Sequence, residues 1–502
     1  MRLLPVVWFV ALCLSAGLLP TRAQEAPAQT ETYTWRAGGV AFEHPANWVV
    51  RDDTFLYGSV SVATQPGVLD ATPIPEGELF IQVAPVVSTS EAALARFGVD
   101  SLTPEGALAV INAPGGQVQP FELDGRLAAR LDAESSGQQI TFITVEGPSQ
   151  QIYSLYAAAA SGSFAAYEAE VLALAASIRP AEPLSTPGRV ESLDRAPRTF
   201  GGAGPVAGVT WQYTAAFDAA DAAFTPTLPE RFGRLHVGTD DTLYVATGGS
   251  ALLVFDVDGV LLRAIHNPDV HFDDVYAAED GTLWVIDRSQ AKVIHLSAEG
   301  DILTAFGQVG SGADQFTPGG PSDLVIGADG LLYILTTTFA RQRTYDDVQV
   351  RTPEGDLERV FTAQVRSGGQ DPNAQLRLLP DGNLLVTAGG GGTLARIYDL
   401  ETTEQVAALP LPEVEFVQRA LAVGPEGIIY TAGGGAVIQL GPDGGVLAVI
   451  GGQTQSAESA LPPGALFDPT GIGVLSDGSI VVADANQAFW QVVRFDIRAD
   501  RP

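Results

Sequence analysis

Asp280-Gly281-Thr282-Leu283-Trp284-Val285-Ile286-Asp287 joins a tight-turn signal to an apolar strand, and Glu299-Gly300 turns the chain again nineteen positions on (300 − 281 = 19). Glycine takes the positive φ that such hairpin turns require. The pattern returns at Asp240-Asp241-Thr242-Leu243-Tyr244-Val245, Asp329-Gly330-Leu331-Leu332-Tyr333-Ile334, Asp381-Gly382-Asn383-Leu384-Leu385-Val386, Glu426-Gly427-Ile428-Ile429-Tyr430 and Asp477-Gly478-Ser479-Ile480-Val481-Val482. The second positions fall at 241, 281, 330, 382, 427 and 478, giving spacings of 40, 49, 52, 45 and 51. A period of about 40–50 residues of strand, with no helix signal, is that of a propeller blade. A second turn recurs at Asp258-Gly259, Glu299-Gly300, Glu354-Gly355 and Asp443-Gly444, with Glu401-Thr402 in the fourth unit. Each unit therefore reads as four strands, and the six units predict an all-β, six-bladed propeller over residues 207–498.

The ends of this region predict how it closes. The last unit stops at Phe495-Asp496-Ile497-Arg498 after three strands, while Val209–Phe217 precedes the first unit without a partner of its own. A strand donated from the front completes the last blade and removes an exposed edge. The pattern D-G-x-[LI]-[YW]-V-x-D followed by V-x-x-[FL]-x-x-[DE]-G resembles the NHL repeat. Unit two matches best, with Asp287 and Lys292 between its halves. Unit six keeps Asp484 and Arg494; Thr247, Thr336, Thr387 and Ala432 take related places in the others.

Residues 181–206 are rich in Pro, Gly and Ser without apolar periodicity, which predicts a linker. Before it, residues 31–180 mix periods. Strands are expected at Thr32–Trp35, Val40–Val50, Glu78–Val87, Gln139–Val145 and Gln151–Ala159. Helices are expected at Ser90–Phe97, at Thr103–Ile111 behind a Thr-Pro-Glu capping signal, and at Phe164–Ile178, where Phe164, Tyr167, Val171, Leu174 and Ile178 share a face. This predicts a multidomain chain with an α+β region ahead of the propeller. Val40-Ala41-Phe42-Glu43-His44-Pro45-Ala46-Asn47-Trp48 resembles the F-x-x-P-x-x-W opening of PsbP-like domains, and the closing helix followed by Arg-Pro is similar too.

Residues 1–23 read as a secretory signal: Arg2, then an apolar run from Leu3 to Leu19, then small residues flanking a cleavage point after Ala23. The alternative is an uncleaved N-terminal anchor. Cys13 is the single cysteine, so the cleaved chain has no thiol chemistry. The formal charge is −32, and −34 after cleavage (25 − 59 = −34). That excludes a nucleic-acid footprint and predicts a soluble secreted or extracytoplasmic protein, with no membrane span once the signal is removed. Lys292 is the only lysine among 27 basic residues.

Two clusters are candidate sites. His266, Asp269, His271, Asp273 and Asp274 carry nitrogen and oxygen donors dense enough for a divalent metal such as Ca or Zn; the plainer reading is a polar connecting loop. Thr336–Asp347 lengthens the third unit and projects Phe339, Arg341, Arg343 and Tyr345, two cations and two aromatics in an acidic chain. Asp287 and Arg288, at the end of the strand in the best repeat, join them as ligand-binding candidates. Glycine runs at 248–249, 389–392 and 433–435 lack the helix a phosphate cradle needs. The resemblance to NHL propellers implies metal-dependent lactonases and lyases as the enzymatic alternative, but their ligand sets do not map onto this chain residue by residue. The sequence therefore predicts a non-catalytic binding protein without a cofactor, taking a protein or carbohydrate ligand on the propeller face.

Overall fold

The computed structural model describes residues 29–53, 58–86, 103–109, 117–148, 151–195, 202–203, 210–218, 234–257, 260–310, 315–316, 320–340, 343–367, 374–387, 394–411, 420–433, 435–450, 466, 468–485 and 490–498. The expected signal segment 1–23 with Cys13, the expected helix at 90–97, Arg341 and glycines 389–392 lie outside them.

The repeat region forms a β-propeller. Its antiparallel sheets follow one another along the chain, each a meander of short strands. The first consists of Leu235–Val237, Leu243–Ala246, Ala251–Phe255 and Leu261–His266; the second of Asp274–Ala277, Leu283–Asp287, Lys292–Leu296 and Ile302–Phe306. The third, fourth and fifth begin at Pro321–Ile326, Gln375–Leu378 and Ala420–Val423, and the last at Pro469–Val474. These first strands touch in sequence, and Pro469–Val474 touches Leu235–Val237, so they enclose a central channel. Apolar side chains between neighbouring sheets fill the ring: Tyr333, Val350, Leu376 and Val386 are wholly buried between the third and fourth.

The turns repeat at atomic detail. In each sheet the first turn closes with a backbone bond such as Ala278 N–H to Thr282 O at 2.9 Å or Leu475 N–H to Ser479 O at 2.8 Å. The Asp280 carboxylate accepts the Thr282 amide at 2.9 Å, and Gly281 sits at φ +84. The carboxylate thus reinforces the turn, and the glycine avoids the strain a Cβ brings at positive φ. The fourth sheet's second turn lacks glycine; Asp399 accepts the Glu401 and Thr402 amides instead, and Thr403 takes φ +58.

The last sheet holds three strands from the C-terminal end, Pro469–Val474, Ile480–Ala485 and Trp490–Arg498, and a fourth from the front, Thr210–Asp218. Its register pairs Trp211 with Ile497, Tyr213 with Phe495 and Phe217 with Val492, across one bulge. The stretch expected as a packing-free linker carries strands. Arg189–Arg195 adds a fifth strand to the first sheet beside Leu261–His266, and Gly202–Ala203 adds one to the last beside Thr210–Asp218. The reason is the edges themselves: an outer strand offers unpaired backbone groups that any adjacent extended segment can satisfy.

Upstream, a seven-stranded antiparallel sheet runs Val49–Asp52, Val60–Ala63, Leu79–Pro85, Ile152–Ala160, Gln138–Glu146, Arg126–Ser135, Gln119–Leu123 in spatial order. A three-stranded sheet, Thr30–Trp35, Val40–Pro45 and Arg179–Pro180, lies beside it. The short helix Pro104–Ala109 is capped by Thr103, whose hydroxyl accepts the Gly106 amide at 3.0 Å. The helix Glu168–Ser177 buries Val171 and Leu174, and Trp48 meets Tyr167 edge-on at 6.1 Å. This region docks on the propeller. Trp35, Phe42, Trp284 and Phe316 belong to one apolar cluster, the Val309 amide donates to Ala37 O at 2.6 Å, and Gln308 Nε2 donates to Gln151 Oε1 at 2.9 Å. Among the described residues no helix is long and apolar enough to cross a membrane.

Candidate functional site

One residue in each repeat stands seven positions before the second turn residue, as Asp274 does before Gly281 (281 − 274 = 7): Arg234, Asp274, Asp323, Gln375, Ala420 and Gly471. Asp274, Gln375 and Ala420 open their first strands, Arg234 immediately precedes one, and Asp323 and Gly471 stand third in theirs, so the six form a layer around one mouth of the channel. The layer is charged in three sheets, carries the Gln375 amide in a fourth and is small in the other two. Gly471 has no room for a side chain, since a Cβ there meets the Leu235 nitrogen at 2.6 Å.

The charges pair inside the protein. Arg234 Nη1 lies 2.7 Å from Asp323 Oδ2 and 3.1 Å from Asp274 Oδ2. Arg377, two positions past Gln375, reaches the same Asp323 oxygen at 2.9 Å and donates from Nε to Leu421 O at 2.8 Å. Asp323 further accepts the Leu324 and Leu376 amides at 2.8 and 2.9 Å. Burial pushes the Asp323 carboxyl up, but the two guanidiniums outweigh it and hold the group below the usual range. Asp274 has the weaker share of Arg234, so burial prevails and raises it to about 7. Deeper in the channel His236 tilts against Tyr276 at 4.5 Å, and burial together with the Arg377 charge lowers it to about 4.

Sequence reasoning found Asp274 and missed Arg234, Asp323 and Arg377. Each reads singly as a lone charge beside or inside an apolar strand. Superposing the repeats on their turn residue was the signal that brings them into one layer.

The metal-candidate loop is drawn apart. Asp274 turns into the channel. Asp269 pairs with Arg36 of the N-terminal region at 2.8 Å and accepts the Thr186 hydroxyl. Asp273 accepts the Arg288 amide at 2.8 Å and lies 3.1 Å from His271 Nδ1, which raises the His271 pKa. His266 ends the strand Leu261–His266, paired with Arg189. Asn267 in the same loop is buried, donating to Thr186 O at 3.0 Å and Gly300 O at 3.1 Å. A metal of the kind the lactonase resemblance implies does not fit here. The channel carboxylates already hold guanidiniums, and among the described residues no three His, Cys, Asp or Glu side chains converge.

Asp287 and Arg288 lie inside the fold. Asp287 is fully buried and accepts the His271 amide at 2.9 Å, the Ser289 hydroxyl at 2.7 Å and both Gln290 nitrogens. Asp484 does the same for the Asp468 amide at 2.7 Å in the last sheet. The repeat aspartate is thus a clamp on the preceding loop. Arg288 Nη2 donates to Ser322 O at 2.9 Å, bridging the second and third sheets.

The segment expected as a projecting loop at Thr336–Asp347 is instead an extended β-arm. Leu332–Ala340 and Arg343–Arg351 pair without a break out to Ala340 opposite Arg343, and Leu357–Ser367 follows alongside. Threonines, aromatics and charged residues tolerate an exposed extended backbone and let the pairing continue past the core, where the sequence read only an insertion. The register sets Phe339 opposite Thr344 and Tyr345 opposite Thr338, so positions 343 and 345 share one face of the arm and 339 the other.

No protein-family model matches the chain, and no curated protein matches it. Among solved structures it is similar to a streptogramin B lyase, at 14% identity over 56% of this chain and 97% of that one, with a TM-score of 0.38. It is similar to a gluconolactonase from Xanthomonas campestris, at 14% identity over 63% and 98% of the two chains, TM-score 0.39. It is also similar to the Cps50 (Swd1) β-propeller domain of Myceliophteria thermophila, at 11% identity over 53% and 96%, TM-score 0.37. These likenesses are of fold, and the propeller assignment above rests on this chain's own strand order.

Proposed function

We propose that the chain is an exported recognition protein. In this reading residues 1–23 are a cleaved signal, 31–180 a PsbP-like α+β domain, and 207–498 a six-bladed propeller of NHL type. Its ligand is a protein or a carbohydrate, met on the channel face, and its compartment is the cell surface or periplasm. The observation that carries the reading is the β-arm of the third sheet: strands of nine, nine and eleven residues where the second sheet's are four or five. A strand-paired arm beside a channel mouth whose charges neutralise one another suits contact better than chemistry.

The test compares the native chain with Arg343→Ala/Tyr345→Ala on a glycan array and with cross-linked envelope extract. Binding that falls about tenfold or more in the variant, at unchanged melting temperature, fits loss of a central cation and aromatic. Binding untouched by the variant overturns the arm's role. One equivalent of tightly held zinc or calcium in purified protein, lost in His266→Ala/His271→Ala, overturns the non-catalytic reading in favour of a metal-dependent lactonase or lyase.

A further inference from the structure

A cavity of about 380 Å3 lies where the N-terminal region meets the second propeller sheet. Arg36 comes from the turn between Thr30–Trp35 and Val40–Pro45, and Glu182 and Leu184 from the segment after Arg179–Pro180. Lys292 and Ile302 come from the sheet itself. The walls are fixed: Arg36 is tied to Asp269, and the Ala181 amide donates to Gly39 O at 3.0 Å. The volume suits a small organic molecule.

The chain's single lysine opens onto this cavity, although arginine serves at every other basic position outside histidine. The two differ in one chemical respect that matters here: an ammonium can give up its proton and become a nucleophile, while a guanidinium stays charged. Lys292 Nζ donates to Gly307 O at 2.9 Å, and among the described residues it forms no ion pair. Its strand partner Asp287 is committed to the loop amides and to Ser289 and Gln290. Burial lowers the amine's pKa against the opposing pull of the Asp287 carboxylate, and the Arg36 charge adds a smaller push in the same direction as burial. Arg36 supplies a cation on the same wall, and Leu184 and Ile302 supply an aliphatic one.

We propose that this cavity takes small 2-oxo or aldehyde acids, the carboxylate facing Arg36 and the carbonyl condensing with Lys292 as an imine. The neutral amine nitrogen attacks the carbonyl carbon and forms the C–N bond. Its two protons pass to the carbonyl oxygen, which leaves as water as the C=N bond forms. Nothing is oxidised or reduced, and hydrolysis reverses the step.

The test incubates the whole protein with glyoxylate or with propanal, each with cyanoborohydride to trap the imine, and maps the products by peptide mass spectrometry. With one lysine in the chain, the α-amino group is the internal reference. The expected result is Nε-carboxymethylation of Lys292 about tenfold faster than its propylation, the worth of one charge-assisted contact. Arg36→Gln lowers the glyoxylate rate towards that of propanal and lowers the propanal rate far less, the small common loss following the amine's pKa. Labelling of Lys292 slower than that of the α-amine overturns the imine. Equal rates for the two aldehydes in the native chain overturn the oxo-acid assignment, independently of whether the variant folds.

Discussion

Replacing Arg234 by methionine keeps most of the side-chain length and removes the charge. Arg234 is buried, with its guanidinium 2.7 Å from Asp323 and 3.1 Å from Asp274. Breaking one side of a buried ion pair typically costs about 3–5 kcal/mol, because the surviving charge stays desolvated. The loss does not fall evenly. Asp323 keeps Arg377 at 2.9 Å and two backbone amides. Among the described residues Asp274 keeps one hydrogen bond, from the Val275 amide at 2.9 Å, and the more distant charge of Arg377. Its carboxyl stands at about 7 with Arg234 present and rises further without it. An acid whose folded pKa lies above its unfolded value stabilises less as pH rises through that range. The variant's deficit is therefore largest near pH 8. It shrinks towards pH 5 by at most about 1.4 kcal/mol, because pH 8 lies one unit above the native Asp274 value of about 7. Urea unfolding at both pH values, followed by tryptophan fluorescence and circular dichroism, measures it. Arg234→Met/Asp274→Asn recovers most of the pH-dependent part. A deficit under about 1 kcal/mol at pH 8, or one equal at both pH values, refutes the argument.

Deleting residues 210–218 strips the ladder from Trp490–Arg498 and leaves a long open edge, so light scattering should report aggregates; a monomer with the native melting temperature is the contrary result. His236 supplies an acid limb. Its folded pKa of about 4 lies below the unfolded 6.5, so its stabilisation is present above 6.5 and is lost as pH falls towards 4, up to about 3 kcal/mol. His236→Gln flattens that limb, and an unchanged slope in the variant counts against the assignment.

The propeller was legible because its turns are local. An Asp-Gly pair fixes a turn within four residues, and repetition at a near-constant period turns a weak signal into an architecture. The front-to-back closure was legible from counting unpaired strands. The strands Val60–Ala63, Gln119–Leu123 and Arg126–Ser135 were not. In Arg126-Leu127-Ala128-Ala129-Arg130-Leu131-Asp132 the apolar residues follow neither period cleanly, and neighbours in the sheet decide. The channel layer was hidden for the opposite reason. Arg234, Asp323 and Arg377 come together over more than 140 positions of chain (377 − 234 = 143), and only the fold makes their charges one group. The arm reads as a loop because a threonine run followed by mixed charged and aromatic residues suits an exposed strand as well as a solvated insertion.

The strand Thr210–Asp218 has consequences for biosynthesis. Its partner begins at Trp490, 272 positions later (490 − 218 = 272). At roughly 5–20 residues per second the ribosome needs about 14–54 s to make the intervening chain. Throughout that interval the first strand of the closing sheet exists without the last. A nascent chain stopped short of residue 490 therefore carries two open edges, one at each end of the ring, while a chain a few residues longer carries neither. Closure of the ring waits on the synthesis of Trp490–Arg498, and a product interrupted before it differs from a closed ring by a surface that quality-control proteases and chaperones are built to bind.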